Sequence, residues 1–138
     1  MIRGTVLLLL NAVIAGSSQA GSLALTVETP KPGQGSYFIA VHEHADTFPN
    51  GDPDHATRTQ VSGEEQRIQI ELPEGRYAVA VYQDLNDNQE LDRNVLGLPS
   101  EPVGFSRNAG GAMAPPDFET TAVQVGAGQR GLAIRLNH

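Results

Sequence analysis

Apolar and polar positions alternate one for one along much of the chain. In "SLALTVE", Leu23, Leu25 and Val27 fall on one face, with Ala24, Thr26 and Glu28 on the other. In "RIQIEL", Ile68, Ile70 and Leu72 alternate with Arg67, Gln69 and Glu71. In "GLAIRLNH", Leu132, Ile134 and Leu136 alternate with Ala133, Arg135 and Asn137. A period of two sets one face on a core and the other in solvent, which predicts half-buried strands. Two further runs, "SYFIAVHE" and "RYAVAVYQ", are apolar on both faces and are expected at the centre of a sheet. Shorter strands are expected around Val123 and Val125 and around residues 57–61. No segment sustains a helical period. Between the runs lie "TPKPGQG", "FPNGDPD", "VSGEE", "LPEG" and "GAGQRG". These are turn signals at the spacing of an all-β sandwich.

Two segments break this rhythm. Residues 1–20 place Arg3 before an apolar run from Val6 to Ile14 and close on Ser18-Gln19-Ala20. That order predicts a secretory signal peptide cleaved after Ala20. The run is too short for the ~20 residues that span a bilayer, and no later segment is apolar enough to do so. The expected mature chain, residues 21–138, is a single domain. The second segment, residues 93–119, is rich in Gly and Pro and shows no strand alternation. An unstructured stretch of that length within a compact domain points to function or disorder.

Directly before it stands "DLNDNQELD", Asp84 to Asp92, with four acidic residues and two asparagines in nine positions. Counted from Asp84 as position 1, Asn86, Asn88, Glu90 and Asp92 occupy positions 3, 5, 7 and 9. In a calcium loop, positions 1, 3, 5 and 9 offer side-chain oxygens and position 7 its backbone carbonyl. Bare carboxylates would only repel one another here, whereas Ca²⁺ takes six to eight hard oxygen ligands. Two positions depart from the EF-hand pattern. Gln89 stands where a glycine belongs, and Val95 where a bidentate glutamate belongs. The loop also follows an expected strand, not a helix. A ligand from elsewhere is needed, with Glu101 the first candidate and Asp87 the second. The alternative is a solvated turn, since Asn and Asp favour turns through local hydrogen bonds.

The segment Leu72 to Ala109, "LPEGRYAVAVYQDLNDNQELDRNVLGLPSEPVGFSRNA", with "PPDFE" after it, resembles the small exported bacterial proteins grouped as DUF2141. The residues that carry the likeness are Leu72, Pro73, Gly75 and Tyr77, then Asp84, Asn86, Asn88 and Asp92. Gly97, Pro99 and Glu101 follow, and then Gly104, Phe105, Ser106 and Asn108. The resemblance implies secretion and an Ig-like or transthyretin-like antiparallel β-sandwich with one long ordered loop. It implies no activity, the family being of unknown function.

Other constellations carry less chemistry. His42 and His44, two apart on an expected strand, share a face and with His55 could bind Zn²⁺ or Cu²⁺; the favoured reading is two polar residues at the open end of a strand. His138 needs no role. Ser106 lacks the Gly-x-Ser-x-Gly elbow of a hydrolase. A carboxylate pair for glycoside hydrolysis remains open. Phe105 and Phe118 are expected to pin the long loop to the sandwich. The net charge of −7 becomes −8 once Arg3 is removed, which disfavours nucleic acid and anionic membranes. With no cysteine, thiol chemistry and disulfides are excluded. The expectation is a periplasmic or secreted, non-enzymatic binding or accessory protein of the cell envelope, its calcium loop steadying the long loop and its partner an envelope or extracellular ligand. A small hydrolase with its site in residues 93–119 and a purely structural domain are the alternatives.

Overall fold

The computed structural model describes residues 20–110 and 115–137. The expected leader, apart from Ala20, lies outside the described residues, as do residues 111–114 and His138. The strands are β1 (Ala20–Glu28), β2 (Ser36–His42), β3 (His55–Gln60), β4 (Glu65–Pro73), β5 (Gly75–Asp84), β6 (Val103–Phe105), β7 (Val123–Val125) and β8 (Gly128–Arg135). A 3-10 turn at Ser106–Asn108 and a four-residue helix, α1 (Phe118–Thr121), complete the described elements. All-β is therefore the fold class. No described helix is long and apolar enough to cross a membrane.

The strands form two sheets, one ordered β4-β1-β8 and the other β3-β2-β5-β6, with β7 paired to β5. The doubly apolar runs β2 and β5 are the central strands of the larger sheet, as expected. The expectation of antiparallel pairing throughout is corrected: β1 runs antiparallel to β4 but parallel to β8, from Gly21 opposite Gly128 to Glu28 opposite Arg135. β1 and β8 stand at opposite ends of the chain, so no tight hairpin forces them antiparallel. β8 reaches its place from β7, which pairs with the other sheet.

The alternating apolar residues meet between the sheets. Leu23, Leu25, Val27, Tyr37, Ile39, Val41, Tyr77, Val79, Val81 and Ile134 belong to one buried cluster. Where β4 crosses to β5, the Tyr77 hydroxyl donates to the Pro73 carbonyl at 2.6 Å and braces the corner. The outer face of the larger sheet carries a second, smaller cluster. Ala78, which points away from the main core, packs with Phe118 and Ala122 against Phe48. Phe105 joins it, its ring 6.0 Å from that of Phe48.

The Gly- and Pro-rich segment is partly built into the sheet, which corrects the expectation of a stretch without strands. β6 pairs with β5, Gly104 opposite Val81. A Cβ at Gly104 would come within 2.8 Å of the Arg135 carbonyl oxygen and of the Ile134 and Leu136 side chains, so only glycine admits this close approach.

Candidate functional site

The acidic stretch opens at the last residue of β5. Strand alternation turns Asp84 to the outer face with Tyr82, and pairing sets it opposite Ser36 of β2. Asp84 is fully buried. Its Oδ1 accepts the Asn88 N–H at 3.2 Å, its Oδ2 accepts the Gln89 N–H at 2.6 Å, and Arg58 of β3 donates a short bond to the same Oδ2. Burial alone would raise the Asp84 pKa, but these three donors outweigh it and hold the carboxyl below its usual range. Gly35 makes room for this end of β5: it has φ of +65°, and a Cβ there would collide with the Asp84 carbonyl oxygen.

The chain then curls over the carboxylate. Asp87 and Gln89 take left-handed φ values of 53° and 68°. Gln89 thus adopts the conformation for which a calcium loop uses glycine at that position. Asn86 and Asn88 each donate a side-chain amide N–H to a different oxygen of Asp92, both at 2.8 Å. Their own Oδ1 atoms accept the N–H of Asn88 and Glu90. Positions 3, 5 and 9 are thereby brought together, with Asp84 beneath them. Glu90 is exposed, and its N–H is spent within the loop.

Glu101 is buried and closes the base. Its Oε2 accepts the Leu85 N–H at 2.8 Å and its Oε1 the Asp92 N–H at 2.9 Å, so one carboxylate staples the two ends of the loop. Asp87 lies to the side, accepting from the Ser36 hydroxyl at 2.8 Å and 3.9 Å from Arg58. Among the described residues no three His, Cys, Asp or Glu side chains stand as a metal cluster. The loop's own donor set includes two asparagines, whose oxygens are hard ligands as well.

Beyond Asp92 the chain makes a tight tip. Asn94 accepts the N–H of Leu96 and Leu98 on its side chain, and its carbonyl accepts the Gly97 N–H. Arg93 ties back to the Gly97 carbonyl at 3.1 Å. This bonding leaves Val95 fully exposed and Leu96 78% exposed.

The sequence profile of a family of uncharacterised proteins conserved in bacteria, DUF2141, matches residues 25–132. The chain belongs to the DUF2141 family. No curated protein and no solved structure matches it.

In this DUF2141 chain the histidine and serine constellations either come apart or turn out to be joints. β2 ends at His42, so His44 lies beyond the strand. His42 packs outward against Phe48, whereas His55 sits opposite Val41, on the inner face, with its ring 6.2 Å from that of Tyr77. The sheet thus separates His42 from His55. Ser106 is fully buried; its hydroxyl accepts the Val79 N–H at 3.0 Å and donates to the Thr121 carbonyl at 2.7 Å. It joins β5 to α1. Phe105 and Phe118 do pin their segment, through Phe48. Arg58 and Gln83 carry no signal in the sequence. Gln83 is buried, donating to the carbonyls of Lys31 and Gln34 at 2.7 Å each and accepting from the Thr29 hydroxyl. Strand pairing brings Arg58 to Asp84, while Gln83 fixes the 29–34 turn from the inner face of the same strand.

Proposed function

We propose that this chain is an exported, non-enzymatic binding or accessory module of the cell envelope, in which the 84–92 loop takes one Ca²⁺ and so sets the segment that follows it. The observation that carries this is the convergence of Asn86, Asn88 and Asp92 above the buried Asp84 carboxylate. The two amide N–H groups now on Asp92 mark a place where that carboxylate is offered a positive pole. A cation there would draw on the Asp92 oxygens, on the amide oxygens once the amides turn end for end, on the free lone pair of Asp84 Oδ1 and on the Glu90 carbonyl. Glu101 supports the loop through Leu85 and Asp92, and a ligand role for it would cost those two bonds. The exposed Val95 and Leu96, on their hydrogen-bonded tip, are the contact such a module would offer. The corner hydrogen bond from Tyr77, at a crossing between sheets, supports an Ig-like sandwich.

The test is a calcium titration followed by calorimetry and thermal melting. With a dissociation constant of roughly 10⁻⁴ to 10⁻³ M, as in extracellular modules, a tenfold excess adds about 1.4 kcal/mol and raises the melting temperature by several degrees. Asp92→Asn is expected to abolish the rise, and Gln89→Ala to keep it. A wild-type melt indifferent to millimolar Ca²⁺, with no heat of binding, returns the stretch to a solvated turn.

A further inference from the structure

At the opposite end of β2 from the acidic loop, His42 is fully buried, and the connection from residue 43 to 54 folds over it. Its ring stands edge-on to Phe48, 5.4 Å between centroids, and Phe48 in turn meets Phe118 at 6.2 Å. The hydrogen bonds of the connection close on itself or on β2. Gly51 N–H donates to Thr47 at 2.7 Å, Asp54 N–H to Val41 at 2.9 Å, and Glu43 N–H to the Asp54 carboxylate at 2.7 Å. Phe48 and the His42–Thr47 contact are what seat it on the aromatic cluster.

The Thr47 hydroxyl lies 3.3 Å from His42 Nδ1 and 3.2 Å from the His44 carbonyl, to which it donates. Nδ1 thus has a polar neighbour, whereas Nε2 is buried and without a partner. The doubly protonated ring carries an N–H on each nitrogen and would place an unpaired Nε2–H and a full charge beside Phe48 and Ala78. The charged groups around it do little to compensate. Asp54, from the connection, favours the protonated ring, but its carboxylate is engaged by Glu43. Past Phe118, Arg76 of β5 lies over that ring and is paired with Glu119 of α1. Burial outweighs Asp54 and pushes the His42 pKa below the usual 6.5.

We infer that His42 makes the 43–54 connection an acid-released cover, which lifts Phe48 away from Phe105 and Phe118 when the imidazole takes its second proton. The cover is independent of the calcium loop. The open form binds the proton more readily than the closed form, so closure is fully favoured above pH 6.5 and is lost as the pH falls from there toward the folded pKa. Within that window one proton increases the open fraction by about tenfold per pH unit.

Hydrogen exchange of the whole chain tests this between pH ~7.5 and ~5, corrected for intrinsic rates. Amides of residues 43–54 are expected to lose protection by up to about tenfold per pH unit, while those of the β1–β4 ladder do not. In His42→Phe the dependence should vanish; in His44→Ala it should persist. Unchanged protection in the wild type, or an unchanged slope in His42→Phe, overturns the inference. Should His42→Phe fail to fold, NMR titration of the wild-type imidazole decides: a midpoint below 6.5 supports the cover, and a midpoint at or above 6.5 defeats it.

Discussion

Asp84 gathers two chain segments onto one carboxylate, β3 through Arg58 and its own loop through Asn88 and Gln89, while its backbone lies against the entry to β2 at Gly35 and Ser36. Its folded pKa lies below the usual 3.8, because Arg58 and two backbone N–H groups outweigh burial. The folded chain therefore holds this proton less readily than the unfolded chain. The stability it confers is complete above pH 3.8 and is lost as the pH falls through that value toward the folded pKa. Urea midpoints should drop across that range, and Arg58→Gln should both flatten the drop and cost roughly 2 kcal/mol or more at neutral pH. A variant with the wild-type midpoint and the wild-type acid slope would show that the pair contributes nothing. That Asp84 begins a loop of converging oxygen-bearing side chains was legible from residue spacing alone. Its partner was not: Arg58 is 26 residues away, and only the register of β3, β2 and β5 brings the two together.

Among the elements, β6 and α1 show how a Gly- and Pro-rich segment is held. β6 is three residues long, too short for an alternation to be visible in sequence, and it is recognised by what it touches. Gly104 lets it approach β8, Phe105 enters the outer aromatic cluster, and the next residue, Ser106, bridges β5 and α1. Asn108 then accepts the Arg135 N–H of β8 at 2.9 Å. Ser106→Ala would leave the buried Val79 N–H and Thr121 carbonyl without this partner, at a cost of about 1–3 kcal/mol. A fall of several degrees in melting temperature should follow, together with earlier proteolysis near residues 109–117; an unchanged melt would mean that the bridge is dispensable. The long alternating strands were readable because each has a core face and a solvent face. The aromatic pins were readable because large apolar side chains in a loop need cover.

Across the whole molecule, the residues that carry the family likeness are largely joints. Tyr77 braces the crossing between sheets, Glu101 closes the acidic loop, and Gly104, Ser106 and Asn108 lock the segment behind it. The two-layer architecture follows from periodicity, since every amphipathic strand needs a partner face. The parallel placement of β8 beside β1 does not, because no pattern within either strand encodes its direction. That pairing also has a consequence in time. A ribosome makes β8 after every other described strand, so the central strand of the smaller sheet waits for a neighbour contributed by residues 128–135. Until they emerge, one whole edge of β1 has no hydrogen-bonding partner, and Ile134 and Leu136 are missing from the core. Nascent chains halted before Gly128 should accordingly remain protease-sensitive along their whole length, becoming resistant in a single step once β8 is released. Resistance acquired gradually, strand by strand, would contradict this. Folding of the described strands thus waits on the last of them to be made.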